Sequence, residues 1–509
     1  MPVAFACPAG AVRLSAIAMV AAFAATQAQA LGGSMRWIHA VAVLMLWLLV
    51  LPVWAAPGRA ETVFAQWLAA YNSGDPQTQQ RLIARHHMVG DTAPGFGLRS
   101  SLGALTLLQA RSSTDNKVEM LVRADPGERG LLVTLTLDPA RPAAVSFFQI
   151  EGAELPAAYQ PPRLALPSLV AQARQRLDAA LAADALSGVV LLAKEDALLL
   201  SWQGGLAERS TRQPVTADTR FRLASLNKMF TAVAVLQLVQ AGKLGLDDRI
   251  ADHLPDYPGD EAARSIRVRQ LLNHTAGLGD VFGEGFAQVS ATLQTHDDYV
   301  ARYSRQPLQH APGTQDGYSN YGYIVLGRLV EAVSGQSYYD YVATHIFAPA
   351  GMVHSGFAPE SVDVQGRATG YTRNSALAPW QAETASLPWR GTAAGGGYST
   401  AVDLLKFAQA LQRGVLLDAA LLGQATHAQN HKHWYGYGFM ASGEGTARQY
   451  GHEGGAPGQN TVFWVFPDHG YVLIGLANTD PDAMVDAINH IARRLPLQAA
   501  ASLYSESAL

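Results

Sequence analysis

The sequence contains a single cysteine, Cys7, in 509 residues, and it lies in an N-terminal segment that we expect to be removed. One cysteine cannot form an intramolecular disulfide, and neither a cysteine nucleophile nor a thiolate metal site is expected. Charged residues are also scarce, at 15% against 49% hydrophobic, which is the opposite of a disordered chain. The net charge of -4 gives no indication of nucleic acid or anionic lipid as a partner.

Three common catalytic signatures are absent as well. There is no G-x-x-x-x-G-K phosphate loop and no G-x-S-x-G nucleophile elbow, which excludes the P-loop and α/β-hydrolase arrangements. His452-Glu453 does not continue into a zinc-protease motif, because Ala456 stands where the second histidine would be. We therefore expect neither a metal ion nor an organic cofactor.

The N-terminus carries two segments in tandem that are typical of export signals. The first is small and apolar and ends in Ala28-Gln29-Ala30, whereas Met35 opens a second apolar run that reaches Trp54. Residues 1–56 are therefore predicted to be an export signal, with a single membrane anchor as the alternative, and the protein is expected to be periplasmic or secreted. The tandem arrangement also suggests that translation begins at Met35, and a mature N-terminus near Leu31 would contradict that.

Hydrophobic periodicity divides the rest of the chain into two units. Residues 61–153 begin with a helical pattern and continue with four β-rich segments, which predicts a small α+β domain that loosely resembles the NTF2-like cone fold. A Pro-rich linker is predicted at 154–163 and a tail at 496–509. Residues 164–495 begin and end with hairpin patterns around a mostly helical middle. This predicts an α+β fold, with an antiparallel sheet built from both ends, flanking helices and an inserted helical region.

The main catalytic candidate is Ser225-x-x-Lys228, at the start of an apolar helix. Helical spacing places both side chains on one face. The helix has almost no polar face, so we expect a buried lysine with a lowered pKa that accepts the serine proton. The helix N-terminus also favours the anion formed on attack. The alternative is an N-cap serine with a surface lysine one turn later.

A second candidate is Tyr318-Ser319-Asn320, between a Gly- and Pro-rich loop and another apolar helix. A tyrosine at such a junction can lie beside Lys228, whose charge would favour the phenolate and make it a better base. Asn320 would hydrogen-bond a substrate amide. The alternative is a tyrosine that packs at a helix start.

The third candidate is His452-Glu453-Gly454-Gly455, just before the final hairpin. Glycines at a strand edge let a substrate approach the backbone closely. The N–H groups of Gly455 and Ser225 are expected to form an oxyanion hole. The alternative is a glycine-rich connection with a solvated histidine.

Ser-x-x-Lys, Tyr-x-Asn and His-x-Gly, in this order, resemble the group of class C β-lactamases, D-Ala-D-Ala carboxypeptidases and family VIII esterases. The segments 271–278 and 395–400 match this group too, so the resemblance covers residues 164–495. It implies a β-lactamase/transpeptidase-like fold. It also implies an acyl-enzyme on Ser225, with Lys228 and Tyr318 moving the proton and later activating water.

For substrate binding, the resemblance implies that Asn320 orients the substrate, that Gly454 and Gly455 belong to the oxyanion side, and that His452 contacts the substrate or its carboxylate. His452 stands where many members have lysine and Glu453 where threonine is usual, and a carboxylate pointing into the site would repel an anionic substrate. Asn273 and His274 are interpreted as residues that brace a loop.

We therefore expect an exported serine hydrolase that acts on an ester, a D-amino-acid peptide or a β-lactam-like substrate. An esterase or D-peptidase is favoured over an efficient β-lactamase. One alternative is a D-Ala-D-Ala carboxypeptidase that acts on the cell wall. Another is a non-catalytic penicillin-recognising binding or sensor protein. The expected partner is a small-molecule or peptide substrate.

Overall fold

The computed structural model describes residues 58–88, 95–125, 128–283, 285–374, 378–384, 386–443 and 445–497. From Arg59 onward the chain forms one compact unit. The predicted export signal up to residue 56 lies outside the described residues, as does most of the predicted tail. Within the described ranges, no helix combines the length and the hydropathy needed to cross a membrane.

The first part of the unit is a helix-then-sheet arrangement. Its helices are α1 (Arg59–Ser73), α2 (Pro76–Arg85) and α3 (Arg99–Leu102), and its strands are β1 (Ala104–Ser113), β2 (Lys117–Asp125), β3 (Arg129–Leu137) and β4 (Val145–Gly152). The four strands pair antiparallel in sequence order. Phe64, Trp67 and Tyr71 recur at helical spacing on α1 and are buried in a core formed with this sheet.

The remainder contains a larger set of elements. The helices are α4 (Leu166–Ala182), α5 (Asn227–Gln240), α6 (Ile250–His253), α7 (Glu261–Arg264), α8 (Val268–Leu272), α9 (Phe286–Val289), α10 (His296–Tyr303), α11 (Asn320–Ser334), α12 (Tyr338–Val342), α13 (Ala348–Ala350), α14 (Ala401–Gln412), α15 (Ala419–Thr426) and α16 (Ala483–Ala492). The strands are β5 (Gly188–Lys194), β6 (Ala197–Gly204), β7 (Leu206–Glu208), β8 (Gln213–Pro214), β9 (Phe221–Arg222), β10 (Tyr371–Thr372), β11 (Gln381–Ala382), β12 (Tyr398–Ser399), β13 (Met440–Ser442), β14 (Gln449–Ala456), β15 (Gln459–Phe466) and β16 (Tyr471–Ala477).

The main sheet has the order β13-β14-β15-β16-β5-β6 and is antiparallel throughout. β16 pairs with β5, with Gly475 opposite Val190, and this pairing joins the C-terminal strands to the N-terminal hairpin. Helices α5 to α15 lie between these two groups of strands in the sequence. The predicted α+β fold, a sheet from both ends with an inserted helical region, is confirmed.

Both faces of this sheet are covered. On β5, Leu191 points into the core that contains α5, whereas Val190 and Leu192 point into the core formed with α4 and α16. Side chains alternate between the two faces of a strand, so a strand buried on both sides is a continuous apolar run. The core against α5 is the larger one, and it holds the catalytic candidates described below.

The first sheet is bound to the last helix by charged side chains. Glu128, just before β3, forms a two-pronged ion pair with Arg494, with N–O distances of 2.6 and 2.7 Å. Arg129 pairs with Asp486 at 3.0 Å. The predicted linker is also held, because Arg163 donates to the carbonyl of Ala492 at 2.9 Å. The four-stranded sheet is therefore fixed to the end of the chain that supplies β14 to β16.

We predict that Glu128→Ala lowers the free energy of unfolding by about 1.5–3 kcal/mol, the usual contribution of hydrogen bonds to charged groups. Burial alone would raise the pKa of Glu128, but the hydrogen bonds and charge of Arg494 outweigh it and lower that pKa. A lowered pKa contributes stability above the unfolded-state value of about 4.3, and this contribution is lost as the pH falls. Urea unfolding at pH 7 and pH 4 measures both effects.

Asp196→Ala is the matched control for that change, because it removes the exposed Asp196–Arg413 pair. Exposed pairs contribute about 0–1 kcal/mol. Equal losses in the two variants would contradict the prediction.

Candidate active site

Ser225 lies in a short 3-10 turn, Ala224–Leu226, that leads directly into α5. The turn is fixed by its neighbours. The carbonyl of Leu223 accepts from Thr461 Oγ1 of β15 at 2.9 Å, and the carbonyl of Ala224 accepts from the Gly396 N–H at 3.3 Å. Ala224 has a φ of +45°, a conformation that is unfavourable for a residue with a side chain. Such conformations cluster at functional sites, and here one immediately precedes the predicted nucleophile.

Lys228 is fully buried beneath this turn, with 0% exposure. Its Nζ lies 3.0 Å from Ser225 Oγ, 2.6 Å from Asn320 Oδ1 and 2.7 Å from the carbonyl oxygen of Ala394. Burial lowers the pKa of Lys228 to about 7, although the charge of Asp280 acts in the opposite direction. The alternative of a surface lysine is therefore wrong.

The partners of Lys228 determine what its neutral form can do. A neutral amine has two N–H donors and one lone pair. Asn320 Oδ1 and the Ala394 carbonyl can only accept, so they take the two donors. The lone pair then points to the third partner, Ser225 Oγ, in the arrangement a base needs in order to take the hydroxyl proton.

Tyr318 is the second side chain that contacts the Ser225 hydroxyl. Its hydroxyl lies 2.9 Å from Ser225 Oγ, and the residue as a whole is 38% exposed. Burial raises the pKa of the phenol, and this effect outweighs the hydrogen bond with Ser225, which lowers it; the charge of Asp280 raises it further. The expectation of a phenolate is thus reversed, because desolvation of the Tyr318 hydroxyl dominates.

The loop before α11 holds Tyr318 in this position. Ser319 caps α11 by accepting from the Gly322 N–H at 2.9 Å. Its own N–H donates to Nδ1 of the buried His274 at 3.1 Å, and the Gly317 N–H donates to the His274 carbonyl at 2.8 Å. The His274 and Tyr318 rings lie 4.3 Å apart between centroids. His274 therefore braces the tyrosine loop, as the sequence predicted.

His452 is buried, with 2% exposure. Its Nδ1 lies against the carbonyl of Glu453, which can only accept, and its Nε2 lies 2.8 Å from the hydroxyl of Tyr435. Burial and the neighbouring Lys228 lower the pKa of His452 to about 3. The imidazole is therefore neutral, with both nitrogens occupied inside the protein, and a contact with substrate would require one of these bonds to break.

Gly454 is the point where β14 comes close to the nucleophile turn. A Cβ at this position would clash with Thr461 Oγ1 and would lie 2.6 Å from the Leu223 carbonyl and 3.0 Å from the Ser225 nitrogen. Gly455 follows on the same strand and is exposed. The oxyanion role of its N–H stays a prediction.

Glu453 lies on the opposite face of β14 from His452 and Gly454, as strand alternation requires. Burial raises its pKa, and the charge of Arg129 in the first sheet acts against that rise. Its carboxylate therefore belongs to the group of charges around Arg129. The sequence analysis expected repulsion of an anionic substrate if the Glu453 carboxylate pointed into the site. With Glu453 on the opposite face of β14, that repulsion does not follow.

Two contacts of the site had no signal in the sequence. The carbonyl of Ala394 contacts Lys228, and the exposed carboxylate of Asp280 accepts from Asn320 Nδ2 at 2.8 and 3.0 Å. Asp280 follows the segment 271–278, but periodicity says nothing about where an exposed loop carboxylate will lie. Within the part of the chain that the structure describes, no group of three or more His, Cys, Asp or Glu side chains is arranged to hold a metal ion.

Comparison with known proteins places this geometry in a family. The family model described as Beta-lactamase matches residues 173–498. The chain belongs to the Beta-lactamase family. The chain is similar to penicillin-binding protein 4 of Amycolatopsis lactamdurans, which is 32% identical over 329 residues, covering 60% of this chain and 84% of the relative.

Other members of the Beta-lactamase family point to hydrolysis. Esterase EstB of Burkholderia gladioli is 34% identical over 204 residues, which cover 37% of this chain and 52% of the esterase. The D-amino acid amidase from Ochrobactrum anthropi SV3, solved in complex with L-phenylalanine amide, superposes with a TM-score of 0.54 at 27% identity. That match covers 64% of this chain and 97% of the amidase. Family membership with esterase and amidase relatives supports a hydrolase.

We predict that Gly454→Ala reduces hydrolysis of p-nitrophenyl acetate about 10²–10³-fold, the usual effect of losing one oxyanion-hole donor. The added Cβ must push β14 away from Ser225, so the backbone there loses its alignment. The initial rate of p-nitrophenol release measures the effect.

Gly423→Ala on α15 is the control, because a Cβ there meets no atom within 4 Å. It should keep wild-type activity, and a cooperative thermal unfolding transition in each variant shows that both fold. Wild-type rates in Gly454→Ala would contradict the proximity argument.

Proposed function

We propose that the protein is a serine hydrolase that forms an acyl-enzyme on Ser225 and hydrolyses esters or amides. The observation that carries this proposal is that Ser225 Oγ lies within hydrogen-bond distance of both a buried lysine, Lys228, and the hydroxyl of Tyr318. A serine hydroxyl becomes an effective nucleophile when an adjacent base takes its proton. The non-catalytic alternative offers no reason to keep such a base buried.

In this proposal, Ser225 Oγ attacks the substrate carbonyl carbon and its proton passes to the lone pair of Lys228. The negative charge that develops on the carbonyl oxygen is held by the N–H groups of Ser225 and Gly455. The leaving group departs with a proton from the neutral phenol of Tyr318, which recovers one from Lys228. Water then attacks the acyl-serine ester with the same groups acting in reverse, which releases the acid and regenerates Ser225.

The charges around the site favour substrates without a free carboxylate next to the scissile bond. His452 is neutral and fully hydrogen-bonded, so it offers no positive charge there, whereas Asp280 adds an exposed negative charge near Asn320. Esters and amino-acid amides fit this distribution better than β-lactams or peptides ending in D-Ala. Release of D-Ala from a muropeptide faster than ester hydrolysis would favour the cell-wall carboxypeptidase alternative instead.

We further propose that the protein acts outside the cytoplasm, as a periplasmic or secreted enzyme. The support is the export-signal pattern of residues 1–56. Fractionation of cells that express the full chain, followed by N-terminal sequencing, tests the compartment and separates cleavage from anchoring. Recovery of the protein in the cytoplasm with its N-terminus intact would contradict this proposal.

We predict a burst of p-nitrophenol from p-nitrophenyl acetate that equals the enzyme concentration and is absent in Ser225→Ala.

Lys228→Ala should nearly abolish turnover, because the proton of Ser225 then has no acceptor. Tyr318→Phe should lower turnover about 10²–10⁴-fold, the range for a general acid–base group. Stopped-flow absorbance measures the burst, and a near-normal rate in Lys228→Ala would refute the mechanism.

We also predict that kcat/KM for a neutral ester rises with pH to a plateau, with a midpoint at about 7. The base must be neutral, and the pKa of Lys228 is lowered to about 7, so the active fraction increases as the pH passes through that value. His452, with a pKa of about 3, does not titrate in this range. Initial rates from pH 5 to 9 decide the point, and a flat profile would be inconsistent with Lys228 as the base.

A further inference from the structure

Asp280 is an exposed residue on the loop after α8, and its carboxylate has three partners. Oδ1 accepts from the N–H groups of Val281 and Phe282, at 2.6 and 3.1 Å. Both oxygens also accept from Asn320 Nδ2, at 3.0 and 2.8 Å. The loop backbone therefore holds the carboxylate in a fixed position against the side chain of Asn320.

This contact determines which way the amide of Asn320 faces. A carboxylate can only accept, so the NH₂ group of Asn320 must turn towards Asp280 and the carbonyl oxygen must turn away from it. That oxygen lies 2.6 Å from Lys228 Nζ. If the amide turned over, its NH₂ group would face the amine and compete for the lone pair that Ser225 needs.

We propose that Asp280 is a positioning residue that locks the Asn320 carbonyl oxygen onto Lys228 and thereby directs the lone pair of the amine at Ser225 Oγ. The residue acts through Asn320. The inference rests on the proposed function, because directing the lone pair matters only when Lys228 serves as the base for Ser225.

The negative charge of Asp280 has a second effect on the same amine. Besides Asp280, the titratable groups that face Lys228 are neutral: the phenol rings of Tyr318 and Tyr323, whose centroids lie 4.8 and 5.5 Å from Nζ, and the imidazoles of His274 and His452. The pKa values of both histidines are lowered, mainly by burial. Asp280 is therefore the group that keeps the pKa of Lys228 from falling further.

Asp280→Asn is the sharpest test, because it keeps an oxygen for the Val281 and Phe282 N–H groups. It replaces Oδ2, the nearer acceptor of Asn320 Nδ2 at 2.8 Å, with an NH₂ group that faces the NH₂ of Asn320, and it leaves only the 3.0 Å contact with Oδ1. The donors repel, so Asn320 is expected to turn over, and the negative charge is lost as well. We expect kcat/KM for p-nitrophenyl acetate on the plateau to fall about tenfold or more, a smaller loss than the 10²–10⁴-fold that a general base itself contributes, because Lys228 is still present.

The same variant should shift the acidic limb of the pH profile downwards by about one pH unit, the lower end of the effect of a nearby opposite charge. Titration of Lys228 by NMR of ¹³Cε-labelled lysine, with its signal assigned by loss in Lys228→Ala, gives this shift without relying on turnover. A residue that merely braced the loop would lower the rate without moving the titration.

Asp75→Asn is the matched control, because Asp75, at the start of α2, is also exposed and accepts from two backbone N–H groups, those of Gln77 and Thr78. It should change neither the rate nor the titration. The proposal is overturned if Asp280→Asn leaves either the plateau rate or the Lys228 titration unchanged. Failure of the proposed function is a separate result, the lack of Ser225-dependent turnover in the wild-type protein, and in that case the NMR titration of Asp280→Asn reports only whether the charge of Asp280 acts on Lys228.

Discussion

The burial of one amine, that of Lys228, is the constraint on which the rest of this site depends. An ammonium ion without solvent is costly, so burial favours the neutral form. Its N–H groups must nevertheless be satisfied, and two fixed oxygens, from Asn320 and Ala394, satisfy them. The lone pair is left for Ser225. The neutral state of Lys228 and the direction of its lone pair therefore have a single cause. The side chain is buried without water, and its N–H groups can donate only to two fixed oxygens.

The sheet supplies the rigidity that this arrangement needs. The turn that carries Ser225 is hydrogen-bonded to β15 through Thr461 and lies so close to β14 that only a glycine fits at position 454. β15 and β16 are buried on both faces, so the strand next to the nucleophile cannot shift without disturbing two cores. Close packing of this kind keeps catalytic atoms within a few tenths of an ångström.

The four-stranded sheet also influences β14, on the face opposite Ser225. Arg129 lies among Glu453, Asp482 and Asp486, and its charge partly offsets the effect of burial on the Glu453 carboxyl. Because Glu453 sits between His452 and Gly454, the charge of Arg129 acts on the outer face of the strand whose inner face meets Ser225. This interaction gives the four-stranded sheet an electrostatic connection to the strand at the active site.

The sequence by itself determined the pairing of Ser225 with Lys228, because three residues span one helical turn, and it determined the sheet hairpins, because alternation is a local property. Only the tertiary structure decided that Asn320, 92 residues beyond Lys228 in the chain, contacts the lysine amine and that Asp280 holds Asn320 in place, since no periodicity encodes such distances. The tertiary structure also decided that the hydroxyl of Tyr318 stays protonated and that His452 is neutral and buried. Protonation follows from desolvation and neighbouring charges, which exist only once distant segments have packed together.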